Sequence, residues 1–125
     1  MNPNLVVGRI VWTELFDPQG RNPKIRPAIL VSPSTSNTGS IEWLAIAVST
    51  KFDAAPSEVC VELSWHRDGH PRTKLKSRSV AVCTWQEFLS PDHIVELAGF
   101  TPLPYLQRIL AILDTLSGND PGVST

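Results

Sequence analysis

Short apolar runs alternate along the chain with stretches rich in proline, glycine and asparagine, and the period within each run sets its element. "VVGRIVWTELF" reads as a first strand, with Ile10 and Trp12 on one face by the two-residue period. "DPQGRNPK" has the turn-residue density of an exposed loop. "RPAILVS" is apolar almost throughout, which predicts a second, central strand. "PSTSNTGS" is a turn in which Asn37 and Gly39 can take positive φ. "IEWLAIAVST" is a third strand, apolar on both faces, and "FDAAPS" connects it onward. "EVCVEL" alternates, with Val59, Val61 and Leu63 on one side and Glu58 and Glu62 on the other, as in a half-buried fourth strand. A basic loop leads to a fifth strand, "SVAVCTWQEF".

The period changes after Leu89. Ser90, Pro91 and Asp92 supply an N-cap, a first-turn proline and an early acid, so "DHIVELA" is expected to be a short helix stopped at Gly99. Thr101 and Pro102 open a second helix, along which Leu106, Ile109, Leu110, Leu113 and Leu116 recur at helical spacing. Five strands without crossover helices predict a mainly β fold: a small, strongly bent antiparallel barrel with a C-terminal helix. Residues 1–117 form one domain in this reading, and residues 118–125 a flexible tail.

With 125 residues the chain fits one compact domain, and no apolar run nears the roughly 20 residues of a membrane-spanning helix. The start "MNPNLVVGRI" lacks the pattern of a signal peptide, so a cytoplasmic location is expected. Cys60 and Cys83 sit far apart in apolar runs and are expected to be buried, reduced thiols. No Cys/His grouping has zinc-ligand spacing, and no metal or cofactor is expected. The net charge is −1, but "RDGHPRTKLKSR" holds Arg67, Arg72, Lys74, Lys76 and Arg78, five of the eleven Lys and Arg. Such clustering can bind phosphates even when the total charge is near zero.

Arg26 is the residue with most chemical promise. Pro27 biases it towards an extended conformation at the mouth of a rigid strand. The residues alone leave open a solvated strand-end charge and a planar fork aimed at phosphate. Ser49 and Thr50 end the third strand as hydroxyl donors, or as satisfiers of strand-end backbone groups. His70, between Gly69 and Pro71, is of a residue type suited to a general acid or base. His66 lies nearby, and His93 reads as structural or exposed. Trp65, beside His66 and Arg67, is the indole expected at the surface, where an unpaired base can stack. Trp12 and Trp43 are expected in the core, and Trp85 in a core or an interface.

"GRIVW", "FDPQG", "RPAILVSP", "NTG", "AIAVST" and "SVAVCTWQEF" occur in an order and spacing that resemble the MazF/PemK (Kid/CcdB-like) toxins of type II toxin–antitoxin systems. The resemblance spans Val7 to Leu116. It implies an SH3-like barrel that forms a homodimer, cuts single-stranded RNA without a metal and is neutralised by a cognate antitoxin protein. It also implies a catalytic role for Arg26 and for Ser49 or Thr50, with His70 the added acid–base candidate. RNA contacts are then assigned to Arg21, Lys24, Lys51, Trp65, Arg72, Lys74, Lys76 and Arg78. One departure stands out: the first loop, "QGRNPK", lacks the acid that family members often carry there. That leaves, as the alternative, a catalytically silent or gyrase-directed binding module on the same barrel.

Overall fold

The computed structural model describes residues 4–53 and 55–118. Six strands follow in chain order: β1 (Arg9–Leu15), β2 (Lys24–Thr35), β3 (Ile41–Ser49), β4 (Cys60–Leu63), β5 (Ser79–Leu89) and β6 (Ile94–Phe100). One helix, α1 (Leu103–Leu116), ends the described chain. The strands form one antiparallel sheet in the order β4-β5-β3-β2-β1-β6. The fold is therefore mainly β, an open SH3-like barrel carrying a C-terminal helix. Among the described residues no helix is long and apolar enough to cross a membrane.

The sheet buries both faces. Ile10, Ile29, Ile46, Val61 and Leu63 form one cluster, completed by Ile109 of α1. Val11, Leu15, Leu30, Trp43, Trp85 and Leu89 form the other. A single helix can cover only one of these faces, so the sheet covers the second by curling on itself. Register shifts in the β1–β6, β2–β3 and β3–β5 ladders supply the bends. This is why β2 and β3, at the middle, read as unbroken apolar runs. The two prolines of β2 fall where that strand has one neighbour: Pro27 faces Trp12 before the β3 ladder begins, and Pro33 faces Trp43 beyond the end of the β1 ladder.

The stretch expected to be a short helix is a strand. Ser90, Pro91 and Asp92 do start a helical turn, with Ser90 Oγ accepting the Asp92 N–H, but it is a single 3-10 turn over Pro91–His93. From Ile94 the chain pairs with β1 instead. β-Branched Ile94 and Val95 suit that pleated edge better than a helix. Gly99 is likewise no helix stop. It lies within β6, where a Cβ would come within 2.5 Å of the Thr73 carbonyl carbon and closer still to the Arg72 carbonyl oxygen. The backbone of the basic loop rests on this glycine, and the Phe100 N–H donates to the Arg72 carbonyl at 2.7 Å.

The terminal helix begins at Leu103, with Ile109 fully buried and Leu110 and Leu113 packed at its flank, whereas Leu116 is exposed. Most of the expected tail, residues 119–125, lies outside the described residues. Both cysteines are free, as expected, but only Cys83 is fully buried; Cys60 is half-buried because β4 is an edge strand. Burial pushes the Cys83 thiol up to about 11 and raises that of Cys60, with Glu58 adding to the latter. Iodoacetamide at pH 8 is therefore expected to modify Cys60 slowly and Cys83 only after unfolding, as read by mass spectrometry of intact protein. Rapid labelling of Cys83 in the folded protein would contradict this.

Candidate functional site

The end of β1, the start of β2, the end of β3 and the basic loop surround a cleft of about 960 Å³. Its first wall is the β1–β2 loop, which Asp17 organises. Asp17 Oδ1 accepts the backbone N–H groups of Gln19 (3.0 Å) and Arg21 (2.8 Å), and Oδ2 accepts the Asn22 side-chain amide at 2.7 Å. These bonds, the Arg21 amide foremost, hold the Asp17 carboxyl below its ordinary range. The loop can thus turn through Gly20 (φ 78°) and Asn22 (φ 54°), both left-handed.

The turned loop presents two carbonyls to Arg26. Nη1 donates to the Leu15 carbonyl and Nη2 to the Asn22 carbonyl, the latter at 3.3 Å. The guanidinium lies over the Trp85 ring, 5.1 Å from its centroid, and the Trp85 indole N–H donates to the Phe16 carbonyl at 3.0 Å. Arg26 is half-buried and fixed, not a solvated strand-end charge. A guanidinium has five N–H donors, so those left over by the two carbonyls remain for a ligand in the cleft.

The two hydroxyls that close β3 part company. Ser49 Oγ accepts the Lys51 N–H at 3.0 Å and so closes the turn after the strand. Thr50 is exposed, lines the cleft, and its hydroxyl makes no hydrogen bond among the described residues. Lys24, Lys51, Lys74 and Lys76 line the same cleft. With Arg26 they outnumber its two acids, Asp17 and Glu96, and give the cleft a net positive lining, which favours anions.

Other residues expected at the site lie apart from the cleft lining. His70 serves the basic loop: its Nδ1 accepts the N–H groups of Arg72 (3.1 Å) and Thr73 (3.2 Å). Arg78 pairs with Glu62 (Nε to Oε1, 2.8 Å) and lies over Phe52, 4.2 Å from the ring centroid. Arg21, Arg72 and Trp65 are exposed outside the lining, Trp65 as a surface indole in keeping with expectation. Trp43 is core and Trp85 is buried in a core cluster while also reaching the cleft. Trp12, expected in the core, is half-buried and lines the cleft, because its register partners Pro27 and Glu96 carry it to the open end of the barrel. Glu96 escapes the sequence reading altogether. Its signal, the β-branched pair Ile94 and Val95, is outweighed by the Ser-Pro-Asp start. Among the described residues no three His, Cys, Asp or Glu side chains converge to hold a metal.

A half-buried guanidinium, an unengaged hydroxyl and four lysines line one cleft on a chain that has the fold of the MazF endoribonucleases. MazF from Deinococcus radiodurans superposes with a TM-score of 0.69 at 22% identity, over 94% of this chain and 99% of that one. The MazE–MazF complex from the same organism gives 0.66 at 19% identity, over 94% and 98% of the two chains. An endoribonuclease from a mycobacterial species, in complex with its cognate antitoxin, gives 0.67 at 16% identity, over 91% and 95%. No protein-family model matches the chain, and no curated protein matches it in sequence.

Proposed function

We propose that the protein is the toxin of a type II toxin–antitoxin system, an endoribonuclease that cuts single-stranded RNA without a metal. The observation that carries this reading is the fixed Arg26 guanidinium in a lysine-lined cleft on a MazF-like fold. Cleavage proceeds by attack of the 2′-oxygen on the adjacent phosphorus. The 2′-O–P bond forms, the P–O5′ bond breaks, the 2′-hydroxyl loses its proton and the departing 5′-oxygen gains one. The products are a 2′,3′-cyclic phosphate and a 5′-hydroxyl. Arg26 donates to the charge that builds on the phosphorane oxygens. Thr50 donates to a second non-bridging oxygen, and Lys51, Lys74 and Lys76 hold the flanking phosphates. His70, whose Nδ1 is engaged by two backbone N–H groups, is left out of this machinery.

Incubation with total RNA in excess EDTA, followed by mapping of 5′-hydroxyl ends, tests the reading. Discrete cuts are expected; intact RNA would return the protein to the binding-module alternative, in which the fixed guanidinium has no catalytic task. Thr50→Ala is expected to slow cutting about a hundredfold and to change stability by about 0.5 kcal/mol at most. Ser49→Ala has the opposite profile: it loses the Lys51 N–H acceptor, about 1 kcal/mol, and keeps the cleavage rate. Equal rates for Thr50→Ala and the parent would remove Thr50 from the mechanism.

A basic cleft of this kind also suits an acidic antitoxin segment, which would block it by occupying it. A homodimer is expected as well, since Phe88 and Val95 leave 62% and 65% of their surface in water on one chain. Sedimentation at micromolar concentration should give twice the 13.7 kDa chain mass, and a monomer throughout would contradict the dimer.

A further inference from the structure

The cleft has two unlike kinds of lining: Arg26, Thr50 and Lys51 suit a phosphate, but Trp12, Ile25 and Pro27 add apolar surface. Pro27, Trp12 and Glu96 are direct partners across β2, β1 and β6. Direct partners share a face with Cβ atoms roughly 4.5–5.5 Å apart. A proline ring, an indole and a carboxylate therefore stand in a row.

Phosphate binding does not explain Glu96. A carboxylate repels phosphate, yet this one is exposed in a cleft lined by four lysines and makes no ion pair or hydrogen bond among the described residues. Asp17, the other acid of the cleft, is accounted for by three hydrogen bonds within its loop. Glu96 is thus an acceptor pair without a donor, next to an aromatic face.

The ligand that completes such a pair is a nucleobase offering two parallel donors. Guanine does so with N1–H and the N2 amino group on its Watson–Crick edge. Adenine and cytosine each offer one donor beside an acceptor that a carboxylate repels. Uracil offers one donor between two acceptors. Unpaired bases are read on that edge while stacked on an aromatic ring. We propose that Trp12 and Glu96 form a subsite for one unpaired guanine of single-stranded RNA, with Trp12 stacking on the base and Glu96 accepting from N1–H and N2–H. This rests on the reading of the cleft as an RNA site, and it makes Glu96 a specificity residue and not the general base of the reaction.

Glu96→Gln separates the possibilities. A glutamine carbonyl accepts from adenine N6–H while its amide donates to adenine N1, so the preferred base changes. The probes are 2′-O-methyl uridine decamers carrying one central guanine, adenine or cytosine, which have no free 2′-hydroxyl and cannot be cut. Fluorescence anisotropy should show the parent preferring the guanine oligomer over the adenine one by roughly tenfold or more, and Glu96→Gln reversing that order. Equal affinities for all probes would overturn the subsite. So would an order unchanged in Glu96→Gln, or one in which that variant weakens every probe alike. If Glu96→Gln keeps the parent's order of binding but loses cleavage of every sequence, Glu96 is a general base and the subsite falls. Cleavage of natural RNA is scored separately. Guanine-selective binding without cutting leaves the subsite standing and ends the nuclease reading; cutting at sites indifferent to guanine does the reverse.

Discussion

If the cleft cuts RNA as proposed, Arg26→Ala is expected to lower the rate by about 10²–10³, because it removes the donor that would meet the charge developing on the phosphorane oxygens. The sequence suggests that this substitution should leave stability unchanged, as for a solvated strand-end charge. The fold changes that expectation. The guanidinium also serves the Leu15 and Asn22 carbonyls and covers Trp85. Losing a charged donor to a part-buried carbonyl costs about 1–3 kcal/mol, which in a domain of this size lowers the melting temperature by several degrees. The rate must therefore be measured well below the unfolding transition of the variant. Arg26→Lys should recover part of the stability but little of the rate, since one ammonium cannot bridge two carbonyls and still offer a fork to phosphate. If the alanine variant cuts at the parental rate, Arg26 is a clamp for the β1–β2 loop and nothing more.

Gly99→Ala is expected to be the most disruptive glycine-to-alanine change among the described residues. The new Cβ meets the backbone of Arg72 and Thr73, and backbone cannot rotate aside as a side chain can. Either β6 shifts on β1 or the basic loop lifts away and breaks the Phe100 N–H bond to Arg72. We expect a loss of about 3 kcal/mol or more, the upper end of overpacking, and a melting temperature lower by at least about 10 °C. Lys74 and Lys76 ride on the same loop, so, if the cleft binds RNA as proposed, the salt dependence of that binding should flatten, its logarithmic slope falling by about 0.7 for each phosphate that the loop ceases to neutralise. Calorimetry and a salt titration check the two parts independently. An unchanged melting temperature would show that the loop is not seated on Gly99.

These two residues also mark how far the sequence can be read. The apolar runs locate β1 to β5 and the helix stripe locates α1, because both periods are local and strong. Arg26 can be singled out from Pro27 and the strand beyond it. What fixes it cannot: the Leu15 and Asn22 carbonyls are aimed by a loop that turns through left-handed residues, and the Trp85 ring comes from β5, far along the chain. β6 reads as a helix because Ser90 and Pro91 start a genuine helical turn, whereas the partner that makes Ile94–Phe100 a strand lies at the other end of the sequence. Gly99 then reads as a stop signal, since close backbone approach leaves the same mark as a turn. Glu96 is hidden for the same reason: on a helix it is one more surface acid. His70 shows the converse. Its setting between glycine and proline marks a loop vertex, and Nδ1 spends itself holding that vertex together.

The pairing of β1 with β6 has a consequence for synthesis. Arg9 faces Phe100, so β1 waits for a partner made five strands later. Pairings so distant along the chain form late, because the chain loses the entropy of the long loop before the contact repays it. On the ribosome, β2 and β3 can form their hairpin early, but the wall carrying Glu96 and the seat for the basic loop arrive only when β6 has left the exit tunnel. A nascent chain therefore has no finished cleft until β6 has been made and has paired. If the cleft cuts RNA as proposed, the order of the strands delays that activity until β6 has paired with β1.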